Sequence, residues 1–376
     1  GYTGVVNDQL EVIVPFDKHV VTATGNFIVC NSRSGKVLYT KDGKVSAVFH
    51  DMMVHNNTVA VKTSAGWSRY DVENNRPHVE TYDTLIFMGV FAQGIKKDSL
   101  TLWFGDQKVL RFRHAAAQVI SGNEGAYVYV TTPRGKAVYD AHGNRLFITT
   151  AHDIRYNGHD TFVISDGNKK GLINKHGKVI LPAEYDAIGN ATTNTISLLA
   201  QSNFGMHNLT THQTVAPAFQ KNLIPYHHQL LIAFRNNAYG LTDWTGKAVS
   251  AFMFDEIIPW SDTAALAKVN QHWVLYSISK KKVMLGDIST LRMAGQSAIV
   301  TRYELCGVID AQRGIIIPLQ FDDIKNLGTP ASPLYLAVRH AEEADIFVAT
   351  YFNASGNIIT RTTYTADDFE KLYCNP

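Results

Sequence analysis

Cysteine is scarce in this sequence, and its spacing excludes two classes of small stabilised domain. Among 376 residues there are three cysteines, Cys30, Cys306 and Cys374. Their spacing matches neither a disulfide framework nor a zinc motif, and the odd number leaves at least one thiol unpaired within a monomer. Because Cys30 and Cys306 lie beside apolar residues, we expect both to be buried structural thiols.

Charge of either sign is also scarce. Charged residues make up 18% of the chain, and the formal net charge is +2. A chain this close to neutrality gives no reason to expect a nucleic acid or an anionic membrane as a partner. No apolar run reaches the roughly 18 residues of a membrane-spanning helix. The chain starts with Gly1 rather than Met, which indicates a removed leader or a trimmed end, so we expect a periplasmic, cell-surface or secreted protein.

The motifs of common catalytic sites are missing as well. The sequence contains no GxSxG elbow, P-loop, HExxH or CxxC motif. No segment shows convincing 3.6-residue periodicity except a short stretch at residues 366–372, so helices are expected to be rare. We therefore predict an all-β protein that is not an enzyme and has no catalytic residue, no cofactor and no bound metal.

What the sequence contains instead is a repeated strand–turn–strand pattern, clearest at residues 171–188, GLINKHGKVILPAEYDAI. Two apolar runs flank a turn in which Gly177 can adopt a positive φ. Pro182 ends the second strand because proline cannot donate to a sheet ladder. Tyr185 and Asp186 then form a corner, where the ring can pack and the carboxylate can bond nearby backbone N–H groups.

This pattern recurs with a period of about 34 residues in about eleven units. Counting from Gly171, we place the equivalent residues at Gly4, Gly35, Gly66, Leu102, Gly135, Gly205, Gly240, Trp273, Gly307 and Phe347. Alternating segments between these units, such as residues 195–200 and 334–338, indicate further strands. Each unit is therefore predicted to be a three- or four-stranded antiparallel meander.

Three of these units resemble the bacterial WG repeat, also called the KWG repeat. They are residues 171–188, residues 240–257 (GLTDWTGKAVSAFMFDEI) and residues 307–324 (GVIDAQRGIIIPLQFDDI). The family pattern has a glycine after an aromatic residue, an Ile-Asp pair, a Gly-Lys turn, two aliphatic residues, a proline and Tyr-Asp. The namesake Trp-Gly pair is largely absent here, since Lys170 and Cys306 precede two of the glycines. The resemblance implies a bacterial β-repeat protein and carries no catalytic residues.

The repeat also predicts how the chain packs. One meander cannot bury both of its faces, so neighbouring units must stack. We expect propeller-like packing, in one ring or two, with an open β-solenoid or superhelical array as the alternative. Residues 1–160 hold the degenerate repeats one to five and residues 161–376 the closer repeats six to eleven. These are the two predicted domains, and one continuous repeat domain is the alternative.

Two tryptophans, Trp244 and Trp260, are the candidate binding residues. Trp244 follows Asp243 in a predicted turn, where burial is hard to arrange, and Trp260 lies just past the corner of the same unit. Exposed aromatic side chains in loops anchor protein interfaces and stack on sugar rings. An incidental, partly buried tryptophan is the competing interpretation for each of them.

Other polar clusters are better explained by turns than by chemistry. A repeated position does not mark a unique active site, so the aspartates at the unit corners are predicted to bond backbone N–H groups. They are Asp17, Asp83, Asp186, Asp255 and Asp322. The same interpretation is preferred over metal binding or acid–base catalysis for His152-Asp153, His159-Asp160, the histidines 227–228, Glu124 and the acidic cluster at residues 342–345.

Taken together, the residues predict a non-enzymatic repeat scaffold that binds another macromolecule. A protein partner is the first choice, in an adaptor or inhibitor of a bacterial envelope or extracellular setting. The alternative is a carbohydrate-binding or glycoside-hydrolysing propeller, which would need two carboxylates on one cleft. A structural assembly unit, which would self-associate, is the third hypothesis.

Overall fold

The computed structural model describes residues 1–105, 108–122, 125–227 and 229–373. Within these residues the chain forms forty short β-strands (β1–β40), one 3₁₀ turn and one α-helix (α1). The strands make eleven small sheets in which neighbouring strands run antiparallel. The predicted all-β repeat architecture of about eleven meanders is therefore confirmed.

The contacts within the chain divide it into two compact units, Gly1–Tyr185 and Asp186–Pro376. The first unit contains sheets one to six, numbered in chain order. The boundary predicted at residues 160 and 161 stays a prediction about how the repeats group. The strands of the first unit are, sheet by sheet, β1 (Thr3–Val6) and β2 (Val12–Asp17); β3 (Val20–Thr24), β4 (Phe27–Ser32) and β5 (Gly35–Thr40); β6 (Asp51–His55), β7 (Thr58–Thr63), β8 (Gly66–Asp71) and β9 (Arg76–Pro77); β10 (Thr84–Met88), β11 (Phe91–Lys96), β12 (Ser99–Phe104) and β13 (Lys108–Arg113); β14 (Ala116–Gly122), β15 (Gly125–Thr132), β16 (Gly135–Tyr139) and β17 (Arg145–Thr149); β18 (Asp153–Gly158), β19 (Thr161–Asp166), β20 (Lys169–Asn174) and β21 (Val179–Tyr185).

The second unit contains sheets seven to eleven. Helix α1 (Ala366–Tyr373) follows the last strand, where the sequence predicted a short helical stretch, and a 3₁₀ turn lies at Glu342–Ala344. The strands of this unit are β22 (Ala187–Ile188), β23 (Thr195–Ala200), β24 (Asn203–Asn208) and β25 (Thr214–Phe219); β26 (Ile224–Tyr226), β27 (Leu230–Arg235) and β28 (Ala238–Asp243); β29 (Glu256–Pro259), β30 (Ala264–Val269), β31 (His272–Ser277) and β32 (Lys282–Ile288); β33 (Thr290–Ala294), β34 (Ser297–Arg302), β35 (Leu305–Asp310) and β36 (Gly314–Phe321); β37 (Asp323–Asn326), β38 (Tyr335–Ala341), β39 (Ile346–Phe352) and β40 (Ile358–Thr365).

A repeat counted from its glycine contributes to two sheets. Gly307 lies in β35, the third strand of sheet ten, and the return strand β36 is the fourth. After the corner at Asp322 the chain enters β37, the first strand of sheet eleven. The sequence unit therefore links consecutive sheets covalently, and a sheet is complete only when two units contribute.

The repeat glycine is explained by a bulge in the fourth strand. In sheet six, β20 pairs with β21 at Leu172↔Leu181 and Lys170↔Tyr185, so residues 182–184 all lie opposite Gly171. A Cβ on Gly171 would lie 3.0 Å from the carbonyl oxygen of Leu181. In sheet seven, a Cβ on Gly205 would lie 2.4 Å from the carbonyl oxygen of Val215. Glycine is needed because the bulged backbone approaches this closely.

The corner aspartates bond backbone groups, which confirms the sequence-based interpretation. Their carboxylates accept N–H bonds from Lys97 (Asp83, 2.8 Å), Gln201 (Asp186, 2.7 Å), Gln271 (Asp255, 3.4 Å), His340 (Asp322, 2.5 Å) and Lys18 (Asp17, 2.7 Å). Lys97, Gln201 and Gln271 have positive φ in the turn between the second and third strands. The carboxylate thus holds the start of one sheet against its own hairpin turn.

Consecutive sheets within a unit pack through shared hydrophobic layers. Sheets four and five share a cluster that includes Phe91, Leu102 and Val130, and sheets eight and nine share one that includes Tyr226 and Phe254. Blades of a propeller stack face to face in this way. The choice between closed rings and an open array stays a prediction.

The strand register corrects the sequence alignment in the degenerate units. Trp67 bridges Tyr82, as Lys170 pairs with Tyr185, so Ser68 and not Gly66 is equivalent to Gly171. Trp273, which pairs with Ile288, lies at the same position in sheet nine. Two units therefore keep the tryptophan of the repeat, followed by Ser68 and Val274 in place of the glycine.

The cysteines with described positions have the predicted environment. Cys30 and Cys306 are buried free thiols. Burial raises the pKa of the Cys30 thiol, as expected for an unreactive structural cysteine. Cys374 lies outside the described residues.

Candidate functional site

The candidate site begins with a change of residue type at one pair of strand positions. In sheet six, Leu172 and Leu181 are 0% and 4% exposed. In sheet three, Trp67 bridges Tyr82 as Lys170 pairs with Tyr185 in sheet six. Arg69, two residues after Trp67, is therefore equivalent to Leu172. The N–H of His78 bonds the carbonyl oxygen of Arg69 at 2.8 Å. A half-buried arginine and an exposed histidine thus replace a buried aliphatic pair.

Small residues make room for this replacement. Ala60 pairs directly with Arg69, and Ala92 of sheet four pairs with Trp103. Gly94 faces the same layer, since a Cβ there would lie 2.6 Å from Cδ1 of Tyr82 and 2.7 Å from Cη2 of Trp103. The layer between sheets three and four therefore accommodates large polar and aromatic side chains because its opposing residues are small.

Arg69 and two aromatic rings form the floor of the site. The guanidinium carbon of Arg69 lies 5.7 Å from the ring centroid of Trp103, within the range of a cation–π interaction. Tyr82 meets the same indole edge to face, with the centroids 5.1 Å apart. Trp103 and Tyr82 are each 6% exposed. The rings are thus fixed core residues, and the guanidinium is the polar group that they position.

A carboxylate at the rim connects the floor to the next sheet. Glu80 accepts hydrogen bonds from the Tyr82 hydroxyl and from Arg111 Nη2, both at 2.6 Å. The bond from Tyr82 is the largest cause of the lowered pKa of Glu80, and Arg111 lowers it further. Burial, followed by the bond to Glu80, raises the pKa of Tyr82 to about 12. Glu80 is therefore an ionised acceptor and not a proton donor at neutral pH.

Three cavities meet at Arg69. The first, of about 380 Å³, is lined by Arg69, His78, Val79, Glu80, Tyr82, Trp103, Val109 and Arg111. The second, of about 200 Å³, shares Arg69 and Trp103 and extends to His55 and Val90, and the third, of about 540 Å³, extends to Lys41 and Asp71 of sheets two and three. We call the first cavity the Arg69 groove. Val79, at its rim, is 99% exposed.

The structure does not present the predicted tryptophans for binding. Trp244 is 6% exposed and packs in a cluster with Met206, Phe219 and Leu231. Trp260 is 9% exposed, and its indole N–H donates to the carbonyl oxygen of Gln296 at 3.1 Å. The exposure expected for Trp244 was wrong, because the turn after β28 folds its ring back over sheet seven.

The remaining described polar candidates lie in turns or at strand ends, as Asp153 does at the start of β18. His159 and Asp160 form the turn between β18 and β19, and Asp160 pairs with Lys175 at 2.7 Å. Glu342 and Glu343 begin the 3₁₀ turn, and Asp345 lies 3.3 Å from His340. Glu124 and His228 lie outside the described residues. Among the described residues, no group of three His, Cys, Asp or Glu side chains is arranged to hold a metal ion.

Sequence reasoning missed Arg69, Glu80 and Arg111. Arg69 and Glu80 lie in the third unit, where the alignment by glycine was two residues out of register. Arg111 lies in the fourth unit, which matches the repeat most poorly. The available signal was the charge itself, because Arg69 stands at a strand position that is aliphatic in the closer repeats. Reading that signal requires the correct register, which the pairing Trp67↔Tyr82 supplies.

The family comparison agrees with the geometry of the closer repeats. The family described as "WG containing repeat" matches residues 171–192 and 307–327. The chain therefore contains WG repeats at these two places. The matched segments begin in the third strands of sheets six and ten, and the Arg69 groove lies outside both. The sequence matches no curated protein at a significant level.

Solved structures offer only distant similarity. One is a eukaryotic initiation factor, with 9% identity and a TM-score of 0.28 over 81% of this chain and 95% of that one. The extracellular domain of a proposed one-component system from B. thetaiotaomicron has 9% identity and a TM-score of 0.21 over 94% and 67%. PorZ, a surface component of the type-IX secretion system of Porphyromonas gingivalis, has 12% identity and a TM-score of 0.22 over 91% and 59%. At these TM-scores the similarity carries no argument about function or location.

In the part of the chain that the structure describes, no helix has both the length and the apolar character needed to cross a bilayer.

Proposed function

We propose that this protein is a non-enzymatic scaffold that binds another protein through the Arg69 groove. The observation that carries the proposal is the meeting of three cavities at Arg69, above the fixed rings of Trp103 and Tyr82. Arginine, tryptophan and tyrosine are the residues most enriched at the energetic centres of protein interfaces. A preorganised guanidinium at the centre of a groove fits that role.

The rim of the groove supports a protein ligand with an apolar side chain. Val79 is 99% exposed and Val109 is 39% exposed, and both line the same cavity. Arg111 is held by Glu80 at 2.6 Å, so the polar rim is ordered before binding. A mixture of exposed aliphatic residues and ordered charges is typical of a non-obligate protein interface.

The same geometry argues against glycoside hydrolysis, so we keep the proposal non-enzymatic. Of the described residues that line the Arg69 groove, Glu80 is the one carboxylate. Its pKa is lowered by Tyr82 and Arg111, whereas a general acid needs a raised pKa. A glycosidase also needs a second carboxylate at a fixed distance across the cleft. We therefore propose an adaptor or inhibitor that acts in the periplasm, at the cell surface or outside the cell.

The test is affinity capture from the native source by the tagged protein and by two matched variants. Val79→Glu changes an exposed rim residue of the groove and should leave the fold intact, because its side chain makes little contact. Val179→Glu changes a residue that is 56% exposed on the fourth strand of sheet six, away from the groove.

We expect one stoichiometric protein partner that the wild type and Val179→Glu retain and that Val79→Glu loses. Equal capture by all three proteins would show that the partner does not bind at the Arg69 groove. Retention on purified cell-wall polysaccharide without a protein partner would replace the proposal with carbohydrate binding. Fractionation of the native cells would test the expected location.

A further inference from the structure

The fourth strand of a sheet is an exposed edge, and the repeat protects most of these edges. In sheets seven and ten, Pro217 and Pro318 lie in the fourth strand and the pairing shifts register around them. Sheet nine has two register shifts in β32. Bulges and prolines prevent an edge from pairing with a strand of another molecule. The proline of the repeat thus has a protective effect besides ending the strand.

Sheet four shows the second way to protect an edge. β13 pairs with β12 at six consecutive residues without a bulge. It carries three cations, Lys108, Arg111 and Arg113. Charges on an uninterrupted edge oppose pairing with a like strand. The regular edge of sheet four is therefore accompanied by charge.

β40 has the least of either protection. It contains no proline, and its one register shift lies at its start, between Ile358 and Thr360. From Thr360 to Thr365 it pairs with β39 at six consecutive residues. Over those residues its one charge is Arg361, and four of the other five are threonine. Residues 360–363 are exposed, and among the described residues they form no backbone hydrogen bond outside sheet eleven. Such a strand presents an open row of backbone donors and acceptors.

The helix that follows β40 packs on the face of sheet eleven and leaves the backbone edge of β40 uncovered. Phe369 of α1 stacks on Phe347 of β39 with the centroids 4.3 Å apart and the ring planes 5° apart. Phe347 in turn stacks on His340 of β38 at 4.4 Å. The helix is thus anchored over the side chains of the two inner strands, which is a contact with the face of the sheet.

We propose that β40 pairs antiparallel with β40 of a second copy of this chain. A two-fold axis between the strands would make the contact isologous and extend sheet eleven to an eight-stranded sheet across the dimer. The pair uses the β40 edge of both copies, so an isologous contact of this kind ends at two copies. The contact is independent of the Arg69 groove, which lies in the other unit.

The strand itself favours a second copy as the occupant. Four threonines in six residues give threonine-rich cross-strand contacts when the strand pairs with itself, and such pairs are stabilising. Its single positive charge gives little repulsion between copies. A pair of edge strands buries much less than the roughly 1,200 Å² of a stable interface, so we expect a weak dimer that dissociates on dilution.

Sedimentation velocity of the whole protein across a dilution series tests the proposal. The wild type should shift from monomer towards dimer as concentration rises. Thr360→Lys combined with Thr362→Lys gives β40 three cations, as many as β13 has, and should keep the protein monomeric at every concentration. Ile315→Lys is the matched control, because Ile315 is 52% exposed on the interrupted edge β36.

Hydrogen exchange of the wild type keeps the test decisive if the double variant fails to fold. Amides of residues 360–363 that point away from β39 should exchange more slowly at high than at low concentration. A wild type that stays monomeric with unchanged exchange overturns the proposal. A dimer that Ile315→Lys dissociates as strongly as the double variant also overturns it, because the contact would then not be specific to β40.

Discussion

Sheets three and six share one strand register but differ at one buried position. Sheet six has Leu172 opposite Leu181, both buried, and the family pattern matches its third and fourth strands. Sheet three has Arg69 beside His78 and borders the three cavities that meet at Arg69. The difference teaches that the repeat backbone tolerates a half-buried cation when the facing sheet supplies small residues. Loss of the sequence pattern is here the mark of a groove, not of a damaged repeat.

The largest expected effect comes from placing the residue of sheet three into sheet six. Leu172→Arg would bury a guanidinium at a position that is 0% exposed. The lost hydration of that charge should cost about 4 kcal/mol or more of unfolding free energy. Chemical denaturation measures the loss, and Val179→Arg, on an exposed position of the same sheet, should change stability by less than about 0.5 kcal/mol. An unchanged midpoint for Leu172→Arg would mean that sheet six has the room we assign only to sheet three.

A smaller effect, confined to alkaline pH, tests the rim of the groove. The pKa of Tyr82 is raised from its ordinary value of 10.0 to about 12 by burial and by Glu80. Between those values the unfolded chain loses the phenolic proton while the folded protein keeps it. The unfolded state then binds fewer protons, so stability falls as pH rises from about 10 to about 12.

Tyr82→Phe removes this contribution and should make the stability of the variant rise relative to the wild type above pH 10. Denaturation midpoints of both proteins at matched pH values give the difference. The comparison with the wild type is needed because Tyr226 of the second unit also has a pKa of about 12 and contributes in the same range. Parallel curves for the two proteins would show that Tyr82 is not buried as described.

The smallest expected change in stability is the reverse exchange, Arg69→Leu. Sheet six shows that the strand register accepts leucine at this position, so we expect a change of about 1 kcal/mol or less. Binding of the captured protein partner should nevertheless fall, because the guanidinium at the centre of the groove is gone. Thermal melting and affinity measured on the same preparation separate the two effects. A large loss of stability would instead make Arg69 a structural residue of the layer.

Features that depend on residues close together in the chain could be predicted from the sequence, and features that depend on packing could not. The meander, its turns and the backbone role of Asp83 or Asp322 depend on residues close together in the chain, so the pattern was readable without a structure. The exposure of Trp244 was predicted wrongly, since burial depends on the sheet against which a turn folds back. Arg69 was missed because the alignment of the third unit was shifted by two residues, and only the correct alignment makes Arg69 equivalent to the buried Leu172.

The sequence alone determined the local structure of this protein. Glycine, proline and aspartate at a spacing of about 34 residues specify strand, bulge and corner through backbone geometry, wherever in the chain they occur. The tertiary structure decided what lies between the sheets. Only the packing of sheet three on sheet four brings Arg69 over Trp103 and Ala60 into one cluster with Ala92, because the space between two sheets depends on residues that are distant in the chain.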